Sequence, residues 1–235
     1  MNVLIVVHVS CEGPGVFDPM LRDCGAAVRV VDVERGEPLP PDLHGVDALV
    51  IMGGPMNAYE EAAYPFLRQE DFLLRQAIVR DVPVMGICLG AQLLAKAADA
   101  PVRHSPVAEF GWSRVRLTPS GRRDPLFSEL GPDLLVFQWH QDTFDVPANG
   151  ELLATSPAVP SQAIRVGRRA YGLQFHIELD RRLLDLWMHV APQERDDLDE
   201  QTIRHITTTF EEHEQRLAEQ AATVVRNFHR IAVGT

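Results

Sequence analysis

The sequence predicts an α/β fold: a mostly parallel central sheet flanked by helices, with a small antiparallel layer and an added C-terminal helix. Three observations carry this. The apolar runs Val3–Val7 and Ala48–Met52 are continuous, as in strands covered on both faces. Strand and helix patterns alternate through roughly the first hundred residues, which marks parallel strands joined by helical crossovers. Beyond them the apolar runs shorten and turn residues multiply, which marks antiparallel strands. In parallel sheets ligands gather at the carboxyl ends of the strands, so the residue after each strand deserves inspection first.

In chain order, Val3–Val7 is the first strand, and His8, Ser10 and the turn Glu12-Gly13-Pro14-Gly15 follow it. A helix is predicted over Phe17–Cys24 and a strand over Val28–Val33, before a proline-rich loop at Glu37–Asp42. The third strand, Ala48–Met52, runs into Gly53-Gly54-Pro55. Pro65 is placed to start a helix, and Phe66–Arg80 has helical periodicity. Val82, Val84 and Met85 form a short buried strand, followed by a helix rich in Ala and Leu. Short strands are predicted at Val102–His104, Trp112–Leu117, Leu134–Phe137, Glu151–Ala154, Gln162–Val166 and Ala170–Phe175, and a helix at Leu179–Val190. A charged connection at Pro192–Asp199 leads to a long amphipathic helix. Its stripe is Ile206, Phe210, His213, Leu217, Ala221, Val224 and Phe228. That stripe predicts docking on the domain surface, with a partner or dimer face as the alternative. No repeat or low-complexity linker interrupts the chain. The organisation is therefore one domain, 1–190, with a helical extension, 191–235, packed on it.

Composition narrows the function classes. The 235 residues are 46% hydrophobic and 23% charged, with a net charge of -11, an ordinary soluble balance that offers no basic stretch for nucleic acid. Cys11, Cys24 and Cys88 are an odd set without C-x-x-C spacing. That argues against a disulfide framework or a metal site and for a reducing, cytoplasmic setting. No signal peptide or run of membrane-spanning length is read in the chain.

The chemistry gathers at Val84–Lys96, VMGICLGAQLLAK. Cys88 sits at the apex of a strand–turn–helix bend flanked by Gly86 and Gly90, a nucleophile-elbow pattern with Cys in place of Ser. A thiol at the start of a helix faces the positive end of its dipole, which favours thiolate. The N–H of the following residue is available to an oxyanion. Taken alone, the pattern equally fits a buried cysteine at a strand–helix junction. A thiolate also needs a base and a group to orient that base. Among nine histidines, His176 is best placed, because it closes an apolar strand and has Glu178 two residues on. In an extended segment the two side chains share a face. Glu178 can then hold the imidazole tautomer and stabilise its cation.

At this point the sequence resembles a known family. GICLGAQLL (86–94) and QFHIE (174–178) look like the two signature blocks of class I glutamine amidotransferases, and MGGP (52–55) resembles their oxyanion-strand loop. The resemblance extends through EFGW (109–112) and WHQDTF (139–144) and covers about residues 1–190. It implies a class I amidotransferase, flavodoxin-like fold, with no cofactor. It also implies that Cys88 attacks the glutamine side-chain amide to form a glutamyl thioester and release ammonia. His176 would shuttle the proton and Glu178 would orient it. Gly54 and Leu89 would donate N–H groups to the oxyanion. Gln92 and the loop Trp139–Asp142, with Gln141 inside it, would hold the substrate.

Two positions depart from the family pattern. Ile177 stands where Pro is usual, which predicts a less rigid His–Glu segment. Gln141 stands where Gly is usual, which predicts strain if that position needs positive φ. No nucleotide-binding pattern appears after residue 190. The resemblance is therefore to free-standing proteins akin to the glutaminase domain of GMP synthase. It implies a small-molecule substrate, and it leaves open a synthase subunit or a second copy of the chain as partner. Two other readings compete: a hydrolase of another γ-glutamyl amine or peptide, and a non-catalytic, redox-sensing domain.

Overall fold

The computed structural model describes residues 1–194 and 200–234. Strands β1 (Asn2–Val7), β2 (Ala27–Asp32), β3 (Ala48–Ile51) and β4 (Val84–Ile87) alternate with helices α1 (Phe17–Asp23), α2 (Phe66–Arg80) and α3 (Leu89–Ala97). Then come β5 (Val102–Leu117), β6 (Asp133–Phe144), β7 (Gly150–Thr155), β8 (Ala163–Val166) and β9 (Ala170–Leu173), and the helices α4 (Arg181–Glu194) and α5 (Glu200–Val233). One nine-stranded sheet runs in the order β2-β1-β3-β4-β9-β8-β7-β5-β6. Strands β2, β1, β3, β4 and β9 are parallel, and the rest pair antiparallel. The antiparallel part is thus a continuation of the parallel sheet.

The pleat divides the core into two layers. On β1, Val3, Ile5 and Val7 face the side covered by α1, α4 and α5, while Leu4 and Val6 face α2 and α3. Both faces of this strand are therefore dry, as its unbroken apolar run requires.

The parallel register places the site. Val6 pairs with Ile51, Ile51 with Gly86, and Ile87 with Leu173. The segments starting at His8, Gly53, Cys88 and Gln174 consequently leave the sheet side by side at one edge.

Two predicted boundaries are corrected. Val102–His104 and Trp112–Leu117 belong to one strand, β5, whose register slips between His104 and Glu109. The bulge absorbs Pro106, which has no N–H for the ladder. The strand predicted at Leu134–Phe137 continues to Phe144, so Trp139–Asp142 is strand rather than loop. Its partner β5 supplies the pairing (Phe110 opposite Trp139, His104 opposite Asp142), which a reading of local turn signals misses. The charged connection predicted at 192–199 begins inside α4. Its remainder, 195–199, lies outside the described residues.

Helix α5 spends its apolar stripe within the chain. Ile206, Phe210, Leu217, Ala221, Val224 and Phe228 are buried, and Trp112 lies edge-on to His213 at 4.9 Å. Gln220 adds a contact that periodicity does not reveal. Its carboxamide accepts from the Leu135 N–H at 3.0 Å and donates to the Leu135 carbonyl at 2.6 Å. It thereby satisfies backbone groups on β6, the last strand of the sheet. Packing holds a helix whose Thr207–Thr209 run has weak intrinsic propensity. Truncating Phe228 to Ala should destabilise the protein by about 3–5 kcal/mol. Urea unfolding should show this as a lower midpoint with an unchanged m-value.

Candidate active site

Cys88 is the hinge of the site. It lies between β4 and α3 with φ 50° and ψ -104°, a conformation rare for a residue with a side chain. Its neighbours must be glycine: a Cβ on Gly86 would collide with the Gly90 carbonyl, and one on Gly90 with the Ile51 carbonyl. The Cys88 N–H donates to the Leu173 carbonyl at 2.8 Å, which ties the bend to β9. Leu89 opens α3, where a backbone N–H has no acceptor within the helix. The sulfur lies 3.7 Å from the Trp139 carbonyl and 3.7 Å from Gln174 Nε2.

His176 arrives from the far end of the chain. Just past β9, its backbone exchanges two hydrogen bonds with Phe137 on β6, at 2.8 and 3.0 Å. Its Nδ1 bonds Glu178 Oε1 at 2.6 Å, and both side chains are 1% exposed. The Trp187 ring stands perpendicular to the imidazole at 4.8 Å. Burial alone would press the His176 pKa down. The Glu178 carboxylate and the neighbouring Cys88 outweigh burial and hold it well above the ordinary histidine value. His176 Nε2 is buried and makes no hydrogen bond among the described residues. A side chain on Gly53 would meet His176 Cε1 at 3.2 Å, Cys88 Cβ at 3.7 Å and Glu12 Oε2 at 2.6 Å. Imidazole, thiol-bearing carbon and a carboxylate therefore converge on that glycine.

Ile177 does not loosen this segment. Its N–H donates to Glu178 Oε2 at 3.0 Å, and its side chain is buried in the core. Proline, which has no N–H, could not make that bond. Both oxygens of Glu178 are therefore held, one by the imidazole and one by the backbone. Gln141 is unstrained as well. Among the described residues, those with positive φ other than glycine are Asp81, Cys88, Asp99 and Glu129, and Gln141 is an exposed residue of β6.

A cleft of about 220 Å³ opens over Cys88, with Glu12, Gly54, Gln92, Trp139, Gln141 and Asp142 among its walls. Gln92 is buried, and its Nε2 donates to the Asp142 carbonyl at 3.3 Å and to Gln174 Oε1 at 3.4 Å. The Trp139 indole packs into an aromatic cluster with Phe110, Phe137 and Trp187. Asp142 Oδ1 lies 3.3 Å from His104 Nδ1, while Oδ2 is buried without a hydrogen bond among the described residues. Such an oxygen suits a cationic group of a ligand. Tyr59 faces this carboxylate; burial first, and then Asp142, raises its pKa.

The structure thus gathers every residue singled out by sequence into one neighbourhood. It adds Glu12, Gln174 and Trp187, together with a buried His8–Glu70 pair. His8 was legible as the residue after β1 at the binding edge. Glu70 lies on the buried face of α2 with Leu67, Leu73 and Ala77, where a single acid gives no sequence signal of what it meets.

Comparison with known proteins agrees with this geometry. The family model for class I glutamine amidotransferases matches residues 18–186. The glutamine amidotransferase-like protein YfeJ of Salmonella typhimurium is 38% identical over 181 residues, covering 76% of each chain. A glutamine-hydrolysing GMP synthase of Porphyromonas gingivalis is 30% identical over 203 residues, which are 83% of this chain but 38% of that protein. Among solved structures, a glutamine amidotransferase from Thermotoga maritima superposes with a TM-score of 0.87 at 33% identity, over 100% of this chain and 99% of that one.

Two outcomes are expected. Gln141→Gly relieves no strain and should cost up to about 1 kcal/mol of stability, the usual penalty for glycine in a strand; a stabilised variant in urea unfolding would contradict this. Glu178→Gln should lower the His176 pKa, read from its ring resonances. Because the folded-state pKa is raised, the stability conferred by Glu178 should be fullest below about pH 6.5 and decline as pH rises through the raised value.

Proposed function

The chain belongs to the class I glutamine amidotransferase family, enzymes that hydrolyse the glutamine amide, and on that premise we propose that Cys88, His176 and Glu178 carry out this hydrolysis. One observation carries the reading: a buried imidazole, oriented through Nδ1 by a carboxylate, lies beside the elbow cysteine, which helps raise its pKa.

The Cys88 sulfur, its proton passed to His176, attacks the side-chain carbonyl carbon of glutamine, forming a C–S bond and placing negative charge on oxygen. The N–H groups of Gly54 and Leu89 receive that charge. The C–N bond then breaks as His176 gives its proton to the leaving nitrogen, because an amide nitrogen leaves as ammonia and not as its anion. The raised pKa of His176 suits this step, since it keeps the proton available near neutrality. Water, deprotonated by His176, attacks the γ-glutamyl thioester. The C–S bond breaks, glutamate is released, and the proton held by His176 returns to the sulfur. Glu178 orients the ring and stabilises its cation.

The rest of the cleft holds the substrate. Asp142 takes the α-amino group, for which its unengaged oxygen is suited. Gln92, Trp139 and Gln141 shape the wall. Residues 1–190 form the amidotransferase unit, and residues 191–235 are a helical extension packed on it. A synthase subunit is the partner that fits this chemistry, because ammonia released in a sheltered cleft reacts usefully only if an acceptor receives it.

Ammonia release from glutamine tests the proposal. Cys88→Ala should abolish turnover with little change in unfolding midpoint, because the volume removed is small. A glutamine-analogue electrophile should label wild type at Cys88 and leave the variant untouched. Glu178→Gln should lose less activity than His176→Ala, because it disturbs orientation and leaves the proton carrier in place. Turnover of γ-glutamyl amines without turnover of glutamine would shift the substrate to a larger γ-glutamyl compound. Absence of labelling and of turnover would reject the catalytic reading.

A further inference from the structure

We propose that His8 and Glu70 form a positioning pair that grips the Gly53 carbonyl and so aims the Gly54 N–H at the oxyanion site. The inference rests on the reading of Gly54 as an oxyanion donor, and neither residue of the pair reaches the reacting atoms itself.

His8 follows β1, and the Val6–Ile51 register sets it beside Gly53. Its Nδ1 lies 2.7 Å from the Gly53 oxygen, and its Nε2 lies 2.9 Å from Glu70 Oε2 on α2. His8 is 1% exposed and Glu70 is fully buried. The partners define the protons. A carbonyl oxygen only accepts, so Nδ1 carries hydrogen. The second proton lies in the Nε2–Oε2 bond, where the carboxylate favours the doubly protonated ring. If the pair lost that proton, Nδ1–H and the bond to Gly53 could persist only with a bare Nε2 against the carboxylate. Shifting the hydrogen to Nε2 would instead turn a lone pair toward the carbonyl.

The charged groups facing the ring are Glu70 from α2 and Glu12 from the segment after β1. Burial presses the His8 pKa down, but Glu70, the Gly53 carbonyl and Glu12 together raise it above the ordinary value. Glu70 Oε1 makes no hydrogen bond among the described residues, so the imidazole is the cation seen to answer this buried charge. As a store of stability alone, such a pair gains little over apolar replacements.

The grip matters because of what it holds. The peptide between Gly53 and Gly54 is planar and trans, so its C=O and N–H point in opposite directions. Two successive glycines have the least resistance to rotating that plane. Tight walls alone do not choose its orientation, although a Cβ on Gly54 would meet His8 Cβ at 2.9 Å and Leu89 Cδ2 at 3.0 Å. A donor fixed on the carbonyl does choose, and His8 Nδ1 is that donor. Glu70 thus acts on His8 much as Glu178 acts on His176, but the recipient is a peptide plane.

The test is steady-state glutaminase kinetics on three double variants of the full chain. His8→Leu/Glu70→Leu removes the grip without leaving a buried charge. His8→Ala/Glu70→Leu repeats the removal with a different side chain, in case the larger one does not fit. His8→Asn/Glu70→Leu restores a donor, because the carboxamide nitrogen takes the place of Nδ1. Both removal variants should lose about ten- to hundredfold in kcat, part of the cost of an oxyanion donor. KM should stay within about threefold, because the lost interaction belongs to the transition state. The asparagine variant should recover kcat to within about threefold of wild type. Wild-type kcat in a folded removal variant, or equal losses with and without the asparagine donor, would overturn the proposal. A wild type that does not hydrolyse glutamine would overturn the reading of the site, and this inference with it.

Discussion

The parallel pairing of β1, β3, β4 and β9 is the constraint on which the site depends. The register that sets Val6 beside Ile51, Ile51 beside Gly86 and Ile87 beside Leu173 aligns four chain segments at one edge. Each segment delivers one component: His8, the Gly53-Gly54 turn, Cys88, and the Gln174–Glu178 run. A slip of one residue in any pair would turn side chains to the opposite face of the sheet. The dry packing on both faces opposes such a slip. Core and chemistry are therefore coupled through backbone hydrogen bonds, although the residues involved lie as far apart as 8 and 178 in sequence.

Low dielectric then shapes the electrostatics. Two buried imidazoles flank the glycine turn, and each is paired with a buried carboxylate. In water such pairs would be weak, but within the sheet edge each carboxylate, together with its neighbours (Cys88 for His176, the Gly53 carbonyl and Glu12 for His8), outweighs the desolvation that would otherwise neutralise its histidine. The two pairs differ in what the second ring nitrogen meets. For His176 it makes no hydrogen bond among the described residues, which suits the proton transfer proposed for it. For His8 it meets a carbonyl, which suits a group that must stay still.

Much of this was legible in the sequence, for identifiable reasons. Unbroken apolar runs marked the doubly covered strands, and the glycines at 86 and 90 marked the elbow, because close backbone approach excludes every other residue there. His176 and Glu178 were legible because a two-residue spacing in extended chain puts both on one side. The long β5–β6 hairpin was not, since its pairing depends on a distant partner while Pro106 and Gly111 locally resemble loop. Glu70 was hidden by its own helix, where a single acid on an apolar face carries no sign of what it meets. Gln220 was hidden likewise: its two hydrogen bonds go to a backbone 85 residues away.

Ile177 shows how a position where proline was expected is held in another way. The ring of a prolyl residue stiffens the chain covalently, whereas here a peptide hydrogen bonded to the adjacent carboxylate immobilises the same turn from outside. The second solution lasts only while that carboxyl group is present and buried. Sequence change at this position is therefore tied to retention of the acid beside it, and a lineage that lost the acid would lose freedom at its neighbour too.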